Sequence, residues 1–204
     1  MKTITEIKPQ VKNAKRVSIY LDGTYYCGLD LLTTVKYRLK QGMQITEQEL
    51  IEIQYEAEYR SALDCALTSV SKTYKTEKQV KDNLLKKGYL EEIVLKVIEK
   101  LKEYGYVNDL DYARRYVNSV KGGKGQKLIR LELIKKGVHG DALEDATKNI
   151  EGQLESAKLL AEKYLRNKEK DSKNLLKCYK YLLSKGFSYD DCKSAIESYG
   201  DIEN

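Results

Sequence analysis

Glu132-Leu133-Ile134-Lys135-Lys136-Gly137-Val138 lies beyond the midpoint of a 204-residue chain. It reads as the last turn of a helix and its stop. Two apolar side chains, four and three positions before the glycine, fall on one face of that turn. The lysines after them sit at the negative end of the helix dipole. Glycine takes the left-handed conformation that closes the helix, and the apolar residue after it folds back. One such end is ordinary. The phrase recurs 49 residues earlier as Asn83-Leu84-Leu85-Lys86-Lys87-Gly88-Tyr89. It recurs again 49 residues later as Tyr181-Leu182-Leu183-Ser184-Lys185-Gly186-Phe187. A fixed period of this length marks tandem units that bury their apolar faces on their neighbours.

The register extends outward from each glycine. Six positions on stand Val94, Leu143 and Cys192; nine positions on stand Val97, Ala146 and Ala195. Thr46-Glu47-Gln48-Glu49 and Thr76-Glu77-Lys78-Gln79 are capping boxes that open helices. Helical stripes follow through Leu50 and Ile53, through Ala62 to Val70, and through Val80, Leu84 and Leu85. The middle unit shows Tyr112, Ala113, Tyr116 and Val117, then Ile129, Leu133 and Ile134. The third shows Leu160, Ala161, Tyr164 and Leu165, then Leu175, Leu176, Tyr179, Leu182 and Leu183. Each unit is three helices in about 45–50 residues. Upstream, Val17–Leu21 and Thr24–Gly28 flank Asp22-Gly23, a strong hairpin signal. Residues 1–15, with the only proline, read as a frayed tail or a first strand, and the hairpin reads as the only β-structure in the protein. A short helix over 31–40 ends by Gly42. The expected fold is mainly α: an elongated, curved array of three-helix repeats behind a small N-terminal extension. Its parts are residues 1–45 (hairpin and short helix), 46–109 (linker helix and first repeat), 110–154 (second repeat) and 155–204 (third repeat).

Bulk properties narrow the function. No apolar run approaches the roughly 20 residues that span a membrane, and the first residues lack a signal-peptide core. Cys27, Cys65, Cys178 and Cys192 form no Cys-x-x-Cys pair, and there is one histidine. That excludes a zinc site and argues for free thiols in a reducing cytoplasm. His139 stands at a turn before a helix, a place for capping or solvent exposure. No serine has an activating histidine and carboxylate, and no carboxylate pair stands out as an acid–base couple. Gly122-Gly123-Lys124-Gly125 lacks the Gly-Lys-Ser/Thr of a phosphate-binding loop and follows a helix rather than a strand. It reads as a flexible basic linker, or as backbone amides offered to a nucleic-acid phosphate. The chain is read as a non-enzyme with no cofactor and no metal.

Charge is more informative. Between Asp111 and Lys136 stand eight basic residues: Arg114, Arg115, Lys121, Lys124, Lys127, Arg130, Lys135 and Lys136. They face only Asp111 and Glu132 there, so this stretch holds a charge equal to the +6 of the whole chain. Arginine suits bidentate contact with carboxylate or phosphate. The second unit is therefore the candidate surface for an anionic partner. The bland alternative is a helix face made soluble by lysines. Seventeen tyrosines accompany one phenylalanine and no tryptophan. Most fit the core with the hydroxyl at its rim, and exposed ones suit interface anchoring or base stacking.

Tyr106-Val107-Asn108-Asp109, Tyr112-Ala113, Tyr116-Val117, Gly125, Ile129 and Glu132 to Val138 together resemble the central repeat of the bacterial RecX regulatory proteins. Ala62, Leu67, Gln79-Val80, Leu84-Leu85 and Lys87-Gly88-Tyr89 resemble the preceding RecX repeat, and the hairpin resembles the extension of longer members. The third unit is looser, and Gly122-Gly123-Lys124 stands where the family more often has arginine. The resemblance implies a non-enzymatic, monomeric protein that binds the RecA recombinase filament on DNA, lying in its groove. It implies modulation, usually inhibition, of RecA ATP hydrolysis and strand exchange, hence of homologous recombination, DNA repair and the SOS response. The residues themselves also leave open a free-standing array that binds single- or double-stranded DNA or RNA, and a protein-only scaffold.

Overall fold

The computed structural model describes residues 1–11 and 13–200. Among the described residues, three strands, a short helix and a fourth strand precede nine further α-helices: β1 (Lys2–Gln10), β2 (Asn13–Leu21), β3 (Thr24–Asp30), α1 (Leu31–Lys36), β4 (Gln44–Ile45), α2 (Glu47–Lys72), α3 (Glu77–Lys86), α4 (Glu91–Glu103), α5 (Asp109–Val120), α6 (Gln126–Lys135), α7 (Gly140–Thr147), α8 (Gln153–Leu165), α9 (Ser172–Ser184) and α10 (Tyr189–Ile196). The chain divides into two compact units, Met1–Lys72 with Lys81–Glu103, and Thr73–Val80 with Tyr104 onward.

The predicted hairpin is β2–β3, turning at Asp22-Gly23 with both residues left-handed. It is not alone. Residues 2–10 form the long strand β1, and the sheet order is β3-β2-β1-β4. The lone-hairpin expectation is therefore corrected. Ile4 is fully buried with Ile19, Leu29 and Leu50 in one core, which gives the otherwise polar first strand its anchor. Pro9 lies beyond the short pairing with β4 and beside a register shift, where a strand tolerates proline. Helix α1 stops four residues short of expectation. Asp30 caps it through the Thr33 amide at 2.9 Å, and Arg38 turns left-handed to end it, with the Leu39 amide reaching back to the Thr34 carbonyl. Both predicted capping boxes form, Thr46 with Glu49 and Thr76 with Gln79, and the two stripes over 47–70 are one helix, α2.

All three glycine phrases close helices alike. Gly88, Gly137 and Gly186 have φ of 88°, 98° and 87°. Their amides bond Leu85, Ile134 and Leu183 carbonyls, and the next amides bond Leu84, Leu133 and Leu182 carbonyls. The first apolar residue of each pair is buried, as Leu84, Leu133 and Leu182; of the second, Leu85 and Ile134 are exposed, while Leu183 is half-buried against the third core. The chain turns away at the glycine, so the side chain nearest the stop loses its covering helix. The position six residues on is buried in every repeat, as Val94, Leu143 and Cys192; nine residues on, Val97 and Ala195 are buried and Ala146 is half-covered.

The glycine turns of the second and third repeats also make joints. The Lys185 carbonyl accepts the Gly125 amide at 2.8 Å, and the Gly186 carbonyl accepts the Lys127 amide at 3.1 Å. The N-terminus of α6 thus sits on the C-terminal turn of α9. Forty-nine residues earlier the pattern repeats: the Thr76 hydroxyl donates to the Lys136 carbonyl at 2.6 Å, so the N-terminus of α3 sits on the end of α6. In each joint a side chain at the start of the next repeat accepts the first helical amide: Asp109 from Glu77 at 2.9 Å, and Gln153 from Gln126 at 2.8 Å. The approach is close. A Cβ on Gly137 would stand 2.3 Å from the Lys78 Cβ, and one on Gly186 would stand 2.3 Å from the Leu128 backbone nitrogen. Gly125, expected in a flexible linker, is buried, and a Cβ there would stand 2.2 Å from the Gly186 carbonyl.

A Cβ on Gly88 would meet nothing within 4 Å. Alanine at Gly88 should therefore cost only the left-handed backbone penalty, about 1–2 kcal/mol. At Gly137 or Gly186 overlap adds about 1–3 kcal/mol more. Urea denaturation of the three variants should rank Gly88→Ala well above the other two; equal losses would contradict the joint.

Candidate partner-binding surface

The eight basic residues of the second repeat do not form one undifferentiated patch. On α5, Ala113 and Val117 enter the core, which turns Arg114, Arg115 and Asn118 to solvent. Arg114 and Asn118, with Lys121 just past the helix end, line one side of a shallow cleft of about 200 Å³. Ala146, Asn149, Ile150 and Glu151 line the other. Arg115 points elsewhere and stacks on Tyr74, 4.2 Å from its ring centre. Lys127, in the first turn of α6, lies 4.8 Å from the ring of exposed Tyr189. Lys135 is exposed at the end of α6. Among the described residues, Arg114, Lys121 and Lys135 have no ion-pair partner.

Three of the eight are engaged inside the repeat. Lys124 reaches both Glu132 carboxylate oxygens, at 2.6 and 2.7 Å. The Tyr116 hydroxyl donates to the same carboxylate at 2.5 Å. Tyr112 stacks parallel to Tyr116, and Lys136 lies 5.2 Å from the Tyr116 ring. Arg130 makes a two-pronged contact with Glu144, at 2.5 and 3.1 Å, and donates to Thr147 Oγ1 at 2.6 Å. Lys124 and Arg130 therefore serve first to hold helices together. Acids at 132 and 144 are visible in the sequence, but pairs 8 and 14 residues apart need the fold to bring them together.

Protonation states follow these contacts. Burial pushes the Glu132 carboxyl up, but the hydrogen bonds from Lys124 and Tyr116 outweigh it and hold it below its ordinary value. The bond to Glu132 raises Lys124, and burial followed by the Glu132 bond raises Tyr116. The Glu144 carboxyl is held down by Arg130. None of these groups is poised near neutrality. His139 is exposed at the N-cap position of α7 and makes no capping bond. Burial raises the Cys27 and Cys192 thiols to about 11, and all four cysteines are free. Among the described residues no cluster of histidine, cysteine and carboxylate could hold a metal, and no helix is long and apolar enough to cross a membrane. The glycine-loop amides are also committed: Gly123 bonds the Val120 carbonyl and Gly125 the Lys185 carbonyl.

Family models describe four consecutive parts of the chain. The regulatory protein RecX N-terminal domain matches residues 2–46, and the first, second and third RecX three-helix domains match residues 62–101, 108–146 and 151–196. The regulatory protein RecX of Clostridium perfringens (strain SM101 / Type A) is 38% identical over 96% of this chain and 95% of its own. This chain belongs to the RecX family. The RecX of Bacillus subtilis (strain 168) is 34% identical, over 97% of this chain and 77% of its own. A crystal structure of a regulatory protein RecX superposes with a TM-score of 0.69 at 28% identity, covering 97% of this chain and all of the other. RecX from Lactobacillus salivarius gives 0.64 at 32% identity over 70% of this chain and 96% of its own. The family is one of regulatory proteins, and the tandem three-helix domains of RecX account for the 49-residue rhythm.

The Lys124–Glu132–Tyr116 network predicts an acid dependence. Because the Glu132 value is depressed on folding, its contribution is complete above the ordinary glutamate value of 4.5 and is lost as pH falls through the folded value. Thermal unfolding followed from pH 6 to pH 3 should show a smaller loss of midpoint in Glu132→Gln than in the unsubstituted protein. Parallel curves would remove the network from the account.

Proposed function

We propose that this protein binds the RecA recombinase filament on DNA and restrains it, lowering ATP hydrolysis and strand exchange and so damping recombination, repair and the SOS response. The observation that carries the reading is the surface of the second repeat. Among the described residues, Arg114, Lys121 and Lys135 are exposed without ion-pair partners, and Arg115 and Lys127 are exposed on tyrosine rings. A filament of protein on DNA offers phosphates and acidic side chains together, and cations left unpaired at a surface are suited to both. Membership of a family of regulatory proteins supports a role that works by binding rather than by chemistry. Lys136, over the Tyr116 ring, extends the same surface. Lys124 and Arg130, in their internal pairs, shape it. The protein acts as a monomer, without cofactor, in the cytoplasm where RecA works.

RecA-dependent ATP hydrolysis on single-stranded DNA, titrated with this protein, tests the reading. Hydrolysis should fall at amounts stoichiometric with RecA. The doubly reversed variant Arg114→Glu/Lys121→Glu should need roughly ten times more protein for the same effect, while Lys148→Glu, outside the patch, should match the original. Unchanged hydrolysis at stoichiometric amounts contradicts the proposal. Binding to naked DNA with a steep salt dependence, and no effect on RecA, would make it a free-standing nucleic-acid binder instead.

A further inference from the structure

The second repeat differs from its neighbours in what α6 shows to solvent. Lys127, Leu131, Ile134 and Lys135 fall within roughly 100° of one another around the helix, at about 3.6 residues per turn. Leu131 is 56% exposed and Ile134 38%. Lys127 and Lys135 flank them, both exposed and, among the described residues, both without an ion-pair partner. Tyr189, 62% exposed, extends the apolar surface at the Lys127 end, where its ring centre lies 4.8 Å from the ammonium. Glu132, the one acid of α6, is turned into the Lys124–Tyr116 network, and Arg130 is held by Glu144. The other repeats show what the architecture needs here. The position of Ile134 is apolar in all three, as Leu85, Ile134 and Leu183, because it belongs to the glycine phrase. The position of Leu131 is Asp82 in α3 and Lys180 in α9, both exposed. The fold therefore accepts a charge at this place, and an exposed leucine there adds no burial to the repeat.

We propose that this face of α6 grips the protein, not the DNA, of the partner filament: it takes a surface segment that presents an aliphatic or aromatic side chain between two carboxylates. The inference rests on the proposed function and deepens it. DNA phosphates would use the lysines and leave Leu131 and Ile134 in water, and bases stack on aromatic rings rather than on aliphatic side chains. A protein segment uses lysines and aliphatics together. Eight residues at a rise of about 1.5 Å set Lys127 and Lys135 about 12 Å apart along the helix axis. A partner helix with two carboxylates at that spacing and an apolar residue midway matches the face. The apolar contact supplies a desolvated centre, and the ion pairs at its rim set register and reject other partners. A second copy of this chain does not fit. A two-fold contact sets the same face on itself. In either helix direction that opposes lysine to lysine, with no carboxylate in the face to answer them.

The substitution Leu131→Lys separates a protein contact from a nucleic-acid one, because it removes the apolar anchor and adds a cation. Lys180 at the same place in α9 shows that such a helix accommodates it. Fluorescein-labelled full-length protein is titrated with RecA filaments on single-stranded DNA and, separately, with the DNA alone, and anisotropy is followed. Leu131→Lys should bind the filament roughly tenfold more weakly, as loss of an interface anchor does, while its binding to DNA alone stays equal or tightens. Leu131→Met, which conserves volume and polarity, should bind the filament like the original. So should Leu159→Lys, which places the same cation at an exposed leucine of α8. Equal or tighter filament binding by Leu131→Lys overturns the proposal, because the face would then serve DNA. So does self-association in sedimentation that Leu131→Lys abolishes, because the face would then belong to a second copy. Filament binding that weakens in Leu131→Lys while ATP hydrolysis is unaffected by the protein supports this contact and contradicts the proposed function. Absence of filament binding by the unsubstituted protein contradicts both.

Discussion

The structure turns on one contact: the start of a helix seated on the glycine turn that ends another. It joins α3 to α6 and α6 to α9 at the same 49-residue interval, through the Thr76 hydroxyl on the Lys136 carbonyl and the Gly125 amide on the Lys185 carbonyl. Helix starts carry unpaired amides and helix ends carry unpaired carbonyls. Placing one on the other sets the positive end of one helix against the negative end of the next. The contact demands glycine twice over, for a positive φ and for the absence of a Cβ where another backbone passes. Both demands fall on Gly137 and Gly186; at Gly88 the positive φ alone requires glycine.

Much of this was legible beforehand. The period, the helix ends, the capping boxes and the buried position six residues beyond each glycine all rest on local chemistry. What escaped was long-range. The first strand was hard to see because only Ile4 is fully buried along it. Gly125 looked like a linker because a glycine needed for close approach and a glycine needed for flexibility are written alike. Leu85 and Ile134 carried the right period but lie where the chain bends away from its core.

The candidate surface divides the same way. The basic run of the second repeat was plain from composition, but its partition was not. Lys124 and Arg130 are absorbed by Glu132 and Glu144, acids separated from them in sequence and joined by the fold. Arg114, Lys121 and Lys135 remain open, while Arg115 and Lys127 rest on tyrosines that sequence could not sort into buried and exposed. Internal pairing thus sharpens the surface by removing cations from it. The repeats, nearly equal as architecture, differ in which charges are left over.

Hydrogen–deuterium exchange of this protein, alone and on RecA-coated single-stranded DNA, tests the central claim most directly. The account predicts protection concentrated over residues 111–136, with little change in the buried core of the third repeat. Protection confined to other repeats, with residues 111–136 exchanging as in the free protein, would contradict it.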